Sequence, residues 1–405
     1  MTDTGAAEAG AGARPVLRLA PRRDRRLRQG HPWVYSNEID LTPALKALEP
    51  GSLVTVRGDD GHLFGTAMFN PRPLIVARLV DGAADAELDP SWFRRRIGAA
   101  LALRERLADG PFYRLVHAEA DGLPGVVIDR YGDAAAIQIN VAGFERLADM
   151  LIAALQEATG VVTVVRRNES AARALEGLGG EDVIVGPPPD GPVRLEEAGV
   201  TFFADITGGQ KTGWFYDQRD NRRFVAGLSA GARVLDVYCH TGGFALHAAC
   251  AGAADVVAID RSEHALSLAA RAAEANGVAD RCRFVRGDAF AELAARGARG
   301  ERYDVVVCDP PAFAKSKKDL HPAVRAYRKL ARLAAAVVAP GGILFVASCS
   351  HNVPVDQFAA AVAAGIHDAR RTGRILRQSG AGPDHPVHPH LPETAYLKAL
   401  TLQLD

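Results

Sequence analysis

Two side chains in the last quarter of the chain have the chemistry of a nucleophile and an acid. Cys349 stands in Ser348-Cys349-Ser350-His351, directly after the apolar run Ile343-Leu344-Phe345-Val346-Ala347. Asp309 follows a second apolar run, Val305-Val306-Val307-Cys308, and opens Asp309-Pro310-Pro311-Ala312-Phe313. Short, continuous apolar runs read as buried strands of a parallel sheet, and open α/β sheets place ligands at the carboxyl ends of their strands. If the two strands are neighbours, ~4.8 Å apart, the thiol and the carboxylate flank one small pocket. A cysteine taken alone is more often a small buried hydrophobe; its place at this edge singles it out. Chemistry open to such a pair is thiolate addition to C6 of a pyrimidine, which makes C5 enamine-like, able to take a methyl group. Asp309 is placed to stabilise that adduct by protonating or hydrogen bonding N3. Pro310 and Pro311 stiffen the loop, so the acid can pair with one edge of a flipped-out base while Phe313 stacks on its face. A base must then remove the C5 proton. Spacing does not identify it, and His351 is the candidate by proximity alone.

A methyl donor needs its own pocket. The strand Arg233-Val234-Leu235-Asp236-Val237-Tyr238 runs into Cys239-His240-Thr241-Gly242-Gly243-Phe244 and then a helix. Such Gly-rich strand-to-helix turns let a ligand approach the backbone closely. The third glycine of a dinucleotide fingerprint is missing, which disfavours a nicotinamide domain and suits S-adenosylmethionine, which has no pyrophosphate to cradle. The next strand ends in Asp260, where a ribose diol would be held. Gly287-Asp288-Ala289-Phe290 offers an acid to the adenine amine. The ordered set Asp236, Thr241-Gly242-Gly243, Asp260 and Asp288 says more than any one member.

The elements that must position these residues form three parts. Residues 14–88 read as short β-rich segments separated by Gly/Pro/Asp turns. Seven arginines crowd positions 14 to 28 against one acid, Asp24; beside a small β-barrel they suggest a phosphate-contacting arm rather than a merely solvated charge run. Residues 89–192 read as an Arg-rich helix from Trp92 to Ala108, then strand, strand, helix and strand, closed by the loop Pro187-Pro188-Pro189-Asp190-Gly191-Pro192. Residues 193–405 alternate strands at 233–238, 255–259, 304–308 and 343–347 with amphipathic helices, the pattern of a doubly wound parallel sheet. In one such helix Val324, Tyr327, Ala331, Ala334 and Val338 share a face. Arg325, Arg328, Lys329 and Arg332 share the opposite one, a candidate for RNA phosphates.

Composition bounds the answer. The chain has 405 residues, 48 basic and 48 acidic, so it is no wholesale electrostatic binder of nucleic acid and any RNA site is local. Residues 1–13 are Ala/Gly-rich and read as a disordered tail, without the pattern of a signal peptide. No apolar stretch reaches the ~18 residues of a membrane span. Five cysteines without C-x-x-C spacing argue against zinc, so no metal is expected, and fit a cytoplasmic protein.

Together these residues resemble the PUA-domain-containing 23S rRNA cytosine-5 methyltransferases of the RlmI type, over nearly the whole chain after residue 14. The resemblance rests on His31-Pro32-Trp33-Val34-Tyr35, Glu119-Ala120-Asp121-Gly122-Leu123-Pro124-Gly125, Gln210-Lys211-Thr212-Gly213-Trp214-Phe215, Asp217-Gln218-Arg219, Thr241-Gly242-Gly243-Phe244, Asp309-Pro310-Pro311-Ala312-Phe313, Ser348-Cys349-Ser350 and Asp384-His385-Pro386. It implies an N-terminal PUA-like β-barrel, a small central α+β domain and a C-terminal Rossmann-like class I methyltransferase domain. It implies methylation of one cytidine of large-subunit rRNA with Cys349 as nucleophile, adds Lys211, Thr212 and Gln218 to the cofactor pocket, and is compatible with a homodimer. Two other readings stay open: an RNA methyltransferase acting on an exocyclic amine, for which Asp-Pro-Pro loops serve without a cysteine, and a non-catalytic PUA-type RNA-binding assembly factor.

Overall fold

The computed structural model describes residues 14–405; the tail expected over 1–13 lies outside them. The first sheet contains β1 (Val16–Arg18), β2 (Trp33–Tyr35), β3 (Ser52–Arg57), β4 (Leu63–Phe69) and β5 (Ile75–Asp81), in the order β1-β3-β4-β5-β2. Leu17, Leu19 and Leu27 are buried in its core, which folds the expected arginine arm into β1 and the short helix α1 (Arg25–Arg28). Three of its seven arginines are occupied there. Arg14 donates to Thr66, Arg26 to Glu38, and Arg28 to Asp24 and Asp60. The segment is therefore part of the domain surface, not a free arm.

The second sheet, β10-β9-β8-β7-β6, is built from β6 (Phe112–His117), β7 (Val126–Tyr131), β8 (Ala134–Ile139), β9 (Thr163–Arg166) and β10 (Val183–Val185). Its helix α3 runs Pro90–Glu105, with Asp89 accepting from Trp92 N at the N-cap and Pro90 at the first position, where a missing N–H costs nothing. The helix expected from Phe144 to Thr159 is split into α4 (Ala142–Glu145) and α5 (Ala148–Thr159). A hairpin, β11 (Val193–Glu197) and β12 (Val200–Ala204), leads to the last sheet.

That sheet has the order β15-β14-β13-β16-β17-β19-β18. Its members are β13 (Arg233–Val237), β14 (Asp255–Asp260), β15 (Cys282–Arg286), β16 (Tyr303–Cys308), β17 (Val338–Ser348), β18 (Gly373–Ser379) and β19 (Lys398–Leu404). The first five run parallel. The wholly parallel sheet expected from the sequence is corrected at one edge, where β19 pairs antiparallel with both β17 and β18. The chain leaves β13 towards β14 and β15, then returns to β16 on its other side. This reversal opens a crevice at the carboxyl edge, between β13 and β16. Two apolar cores sandwich the sheet, one under α8 (Gly243–Cys250) and α9 (Glu263–Ala275), the other under α10 (Ala289–Ala298), α11 (Leu320–Val337) and α12 (Val355–Asp368).

Candidate active site

A cavity of about 260 Å³ occupies that crevice. β16 pairs in parallel with β17, Cys308 opposite Val346, which puts Asp309 level with Ala347 and Cys349 two residues further on. Both line the cavity, and the Cys349 thiol faces the Pro310 carbonyl at 3.9 Å. The flanking serines explain how the thiol is held. Ser348 and Ser350 are fully buried, and both hydroxyls meet the Tyr327 hydroxyl, at 2.8 and 3.0 Å. The buried Lys398 ammonium donates to the carbonyls of Ser350 and Val353 at 2.6 and 2.8 Å.

Electrostatics tune the pair. Burial pushes Asp309 up to about 7; the nearby Asp217 carboxylate adds to the rise, against the opposing pull of Gln218, Arg222 and Lys211. Burial, with Asp309 beside it, pushes the Cys349 thiol up to about 11.

The other half of the crevice is the turn after β13. Tyr238, His240 and Gly242 have φ of 66°, 50° and 82°, and Lys211 across the cavity has 52°. Non-glycine residues held in this left-handed region concentrate at functional sites. The turn is stapled from below. Asp236 is fully buried and accepts from Ala245 N at 2.9 Å, its other oxygen without a partner among the described residues, and burial pushes its carboxyl up to about 8. Asp260 accepts from His240 N and Ser262 N, each at 2.9 Å, and keeps lone pairs free for a diol. A Cβ on Gly242 would come within 3.1 Å of the Ala269 Cβ, and one on Gly243 within 3.0 Å of Arg222 Cδ, so glycine is needed for packing at both. Arg222 is held in turn by a buried ion pair to Glu197, which also meets His247 at 3.0 Å.

The crevice thus brings together Lys211, Gln218, Thr241, Gly243, Asp260, Asp309, Pro310, Pro311 and Cys349. Thr212, Asp236 and Gly242 lie outside the lining; Thr212 donates to the buried Asp129 at 2.5 Å. Asp288 caps α10 by accepting from Ala291 N and pairs with Arg261, with Ala289 buried beneath it. Phe313 leans on Tyr327, centroids 4.8 Å apart, rather than lining the cavity. Arg325 and Arg328 lie on the exposed face of α11, where Arg328 is engaged by Asp368 at 2.6 and 2.8 Å. His351 is outside the lining too, its ring 5.3 Å from that of Tyr396.

Sequence reasoning missed Asp217 as a site residue, along with Tyr327, Tyr396 and Lys398. Asp217 lines the cavity beside Gln218; Oδ2 accepts from the Tyr396 hydroxyl at 2.6 Å, and Oδ1 has no partner among the described residues. Its one sequence signal is membership of Asp217-Gln218-Arg219.

The donor set suits S-adenosylmethionine. It offers carboxylates for hydroxyls and an amine, a glycine turn, and the buried side-chain amide of Gln218. An S-adenosylmethionine-dependent methyltransferase family matches residues 139–400, and a PUA-like domain matches residues 17–81. The ribosomal RNA large subunit methyltransferase I of Photobacterium profundum is 39% identical over 94% of this chain and 97% of its own. A ribosomal RNA large subunit methyltransferase of Deinococcus radiodurans is 36% identical over 98% and 100%. In fold, the chain is similar to a solved methyltransferase complexed with SAH, with TM-score 0.82 and 21% identity, over 96% of this chain and all of that one. A SAM-dependent methyltransferase structure from Streptococcus mutans gives TM-score 0.80 at the same identity and coverage. With a methyltransferase match over more than half its length and relatives this close along nearly all of it, the chain belongs to the S-adenosylmethionine-dependent large-subunit ribosomal RNA methyltransferases of the RlmI type.

Proposed function

We propose that the protein methylates C5 of a cytidine in large-subunit ribosomal RNA through a covalent bond between Cys349 and C6. The observation that carries this reading is the placement of the Cys349 thiol and the Asp309 carboxylate on one cavity at the carboxyl edge of the sheet. The substrate class rests on the relatives, which are named as ribosomal RNA large subunit methyltransferases.

S-adenosylmethionine, when bound, supplies the methyl group as an electrophile. Asp260 would hold its ribose and Asp288 with Ala289 its adenine, while Lys211, Gln218, Thr241 and Gly243 complete the pocket. Thr212, Asp236 and Gly242 act from behind, as supports of the loops. The base would enter over Pro310 and Pro311, with the exposed basic face that carries Arg325 towards the RNA, while Phe313 backs the loop from its place on Tyr327.

The proton inventory decides the roles. A thiol pushed up to about 11 is ionised to roughly one part in 10⁴ at pH 7, so its proton must be accepted as it attacks. Asp309, at about 7, is balanced to take it. Once protonated, Asp309 presents an O–H to N3 and neutralises the charge that sulfur addition at C6 pushes there. One proton therefore serves activation of the nucleophile and stabilisation of the adduct.

RNA carrying 5-fluorocytidine tests this, because fluorine cannot leave C5 as a proton. Wild-type protein is expected to form an SDS-stable adduct with it. Cys349→Ala should form neither adduct nor product, while still binding S-adenosylhomocysteine by calorimetry. Product at a near-normal rate from Cys349→Ala would instead support methylation of an exocyclic amine.

A further inference from the structure

After methyl transfer C5 carries both a hydrogen and the new methyl group, and the adduct cannot resolve until that proton is removed. His351 lies outside the cavity. Asp309 is committed to N3. A third acid, Asp217, remains on the cavity wall. It is 6% exposed, and among the described residues only one of its two oxygens has a partner, the Tyr396 hydroxyl at 2.6 Å. A buried carboxylate oxygen with no donor is costly, and such an atom at a cavity wall is explained by a ligand that supplies what is missing.

Resting on the C5 reading above, we propose that Asp217 is the base that removes the C5 proton, with Tyr396 as its positioning residue. Asp217, Asp309 and Cys349 all line one cavity, of about 260 Å³. The Asp217 backbone carbonyl accepts from Gly382 N at 3.1 Å, and the Tyr396 hydroxyl engages Oδ2, so Oδ1 is the carboxylate oxygen left without a donor among the described residues. Tyr396 is wedged between the rings of His351 and His117, at 5.3 and 6.2 Å. The step balances. Oδ1 takes the proton from C5, the C5–H electron pair re-forms the C5=C6 bond, the C6–S bond breaks, and Cys349 leaves as thiolate. The proton then passes from Asp217 to solvent.

The test uses full-length protein, S-adenosylmethionine and a large-subunit rRNA transcript labelled with tritium at cytosine C5. In Asp217→Asn, tritium release should fall by roughly 10²–10⁴-fold, the range for a lost general base. A methylated protein–RNA adduct should accumulate, stable in SDS and heavier by one methyl group in the nuclease-trimmed mass. Tyr396→Phe keeps the ring packing and should show the same adduct at a lower level, with tritium release slowed less and its pH profile displaced; it also serves if Asp217→Asn fails to bind S-adenosylhomocysteine. Tritium release by Asp217→Asn within tenfold of wild type, or loss of activity in both variants with no adduct, overturns the assignment. Failure of the wild-type protein to be trapped by 5-fluorocytidine RNA overturns the covalent reading instead, so the two failures are distinguishable.

Discussion

Asp236 on β13 and Asp309, just past the end of the paired strand β16, lie on neighbouring strands, and burial favours the neutral carboxyl at both, raising Asp309 to about 7 and Asp236 to about 8. Each is pushed further up by other carboxylates around the cavity. An unfolded Asp titrates near ~3.9, so the folded state binds protons more tightly between that value and about 8. The stability these groups contribute is present below pH ~4 and is lost as pH rises through about 7 and about 8. Thermal melts of the cofactor-free protein at constant ionic strength should therefore fall from pH 5 to pH 8. Asp309→Asn, neutral throughout, should fall less over that interval; equal slopes would show that Asp309 is not held neutral. At this scale the sequence was informative where chemistry is carried by neighbours in the chain. Cys349 and Asp309 each end an apolar strand, and Thr241-Gly242-Gly243 opens a helix, so their placement follows from local pattern. Asp217 and Tyr396 are 179 residues apart and meet only through the fold, and a tyrosine in a C-terminal segment gives no local sign of such a partner.

Helix α11 is the element that converts fold into site. Its periodicity was legible: Tyr327, Ala331 and Ala334 are buried, and Arg325, Arg328, Lys329 and Arg332 are exposed. Val338, expected on the apolar face, instead opens β17, because the chain passes from helix to strand without a break between Val337 and Val338. What periodicity could not show is that the hydroxyl of Tyr327, readable as an ordinary core residue, accepts from Ser348 and shares a second hydrogen bond with Ser350. A helix thereby grips the tip of the neighbouring strand on either side of the nucleophile. Tyr327→Phe removes two hydrogen bonds within the core and should destabilise the protein by about 1–3 kcal/mol in urea titrations. It should also lower kcat by roughly 10-fold with little change in S-adenosylhomocysteine affinity, because misplacement of a reacting atom costs rate rather than cofactor binding. Unchanged kcat would show that the serines do not position the thiol. The antiparallel pair β18 and β19 was not read in advance: Leu400, Leu402 and Leu404 of β19 do alternate with Thr401 and Gln403, but neither strand carries a site signal of its own. The edge strands β1 and β6 and the central strand β4 were also not read in advance.

Across the whole molecule, several stretches that marked the family turn out to join its parts. Trp33 of the first sheet donates at 2.8 Å to Glu119, in the turn between β6 and β7, and Arg78 pairs with Glu176 at 2.5 Å. Arg104, fully buried, pairs with Asp121 and donates to the Asp384 carbonyl at 2.9 Å, while Asp384 accepts from Arg114 N at 3.1 Å. His31-Pro32-Trp33, Glu119-Ala120-Asp121 and Asp384-His385-Pro386 are thus bolts between the sheets, and their residue types reflect buried ion pairs that must be fully matched. They hold the PUA-like sheet against the rest of the chain. Among the described residues no helix is long and apolar enough to cross a membrane. The measurement that bears most directly on the account is a nucleoside-resolved map of large-subunit rRNA from cells lacking this gene, complemented with the wild-type protein or with Cys349→Ala. The account predicts one 5-methylcytidine that is restored by the wild type and absent with Cys349→Ala. A restored methyl group on an exocyclic amine, or 5-methylcytidine formed equally well by Cys349→Ala, would contradict it.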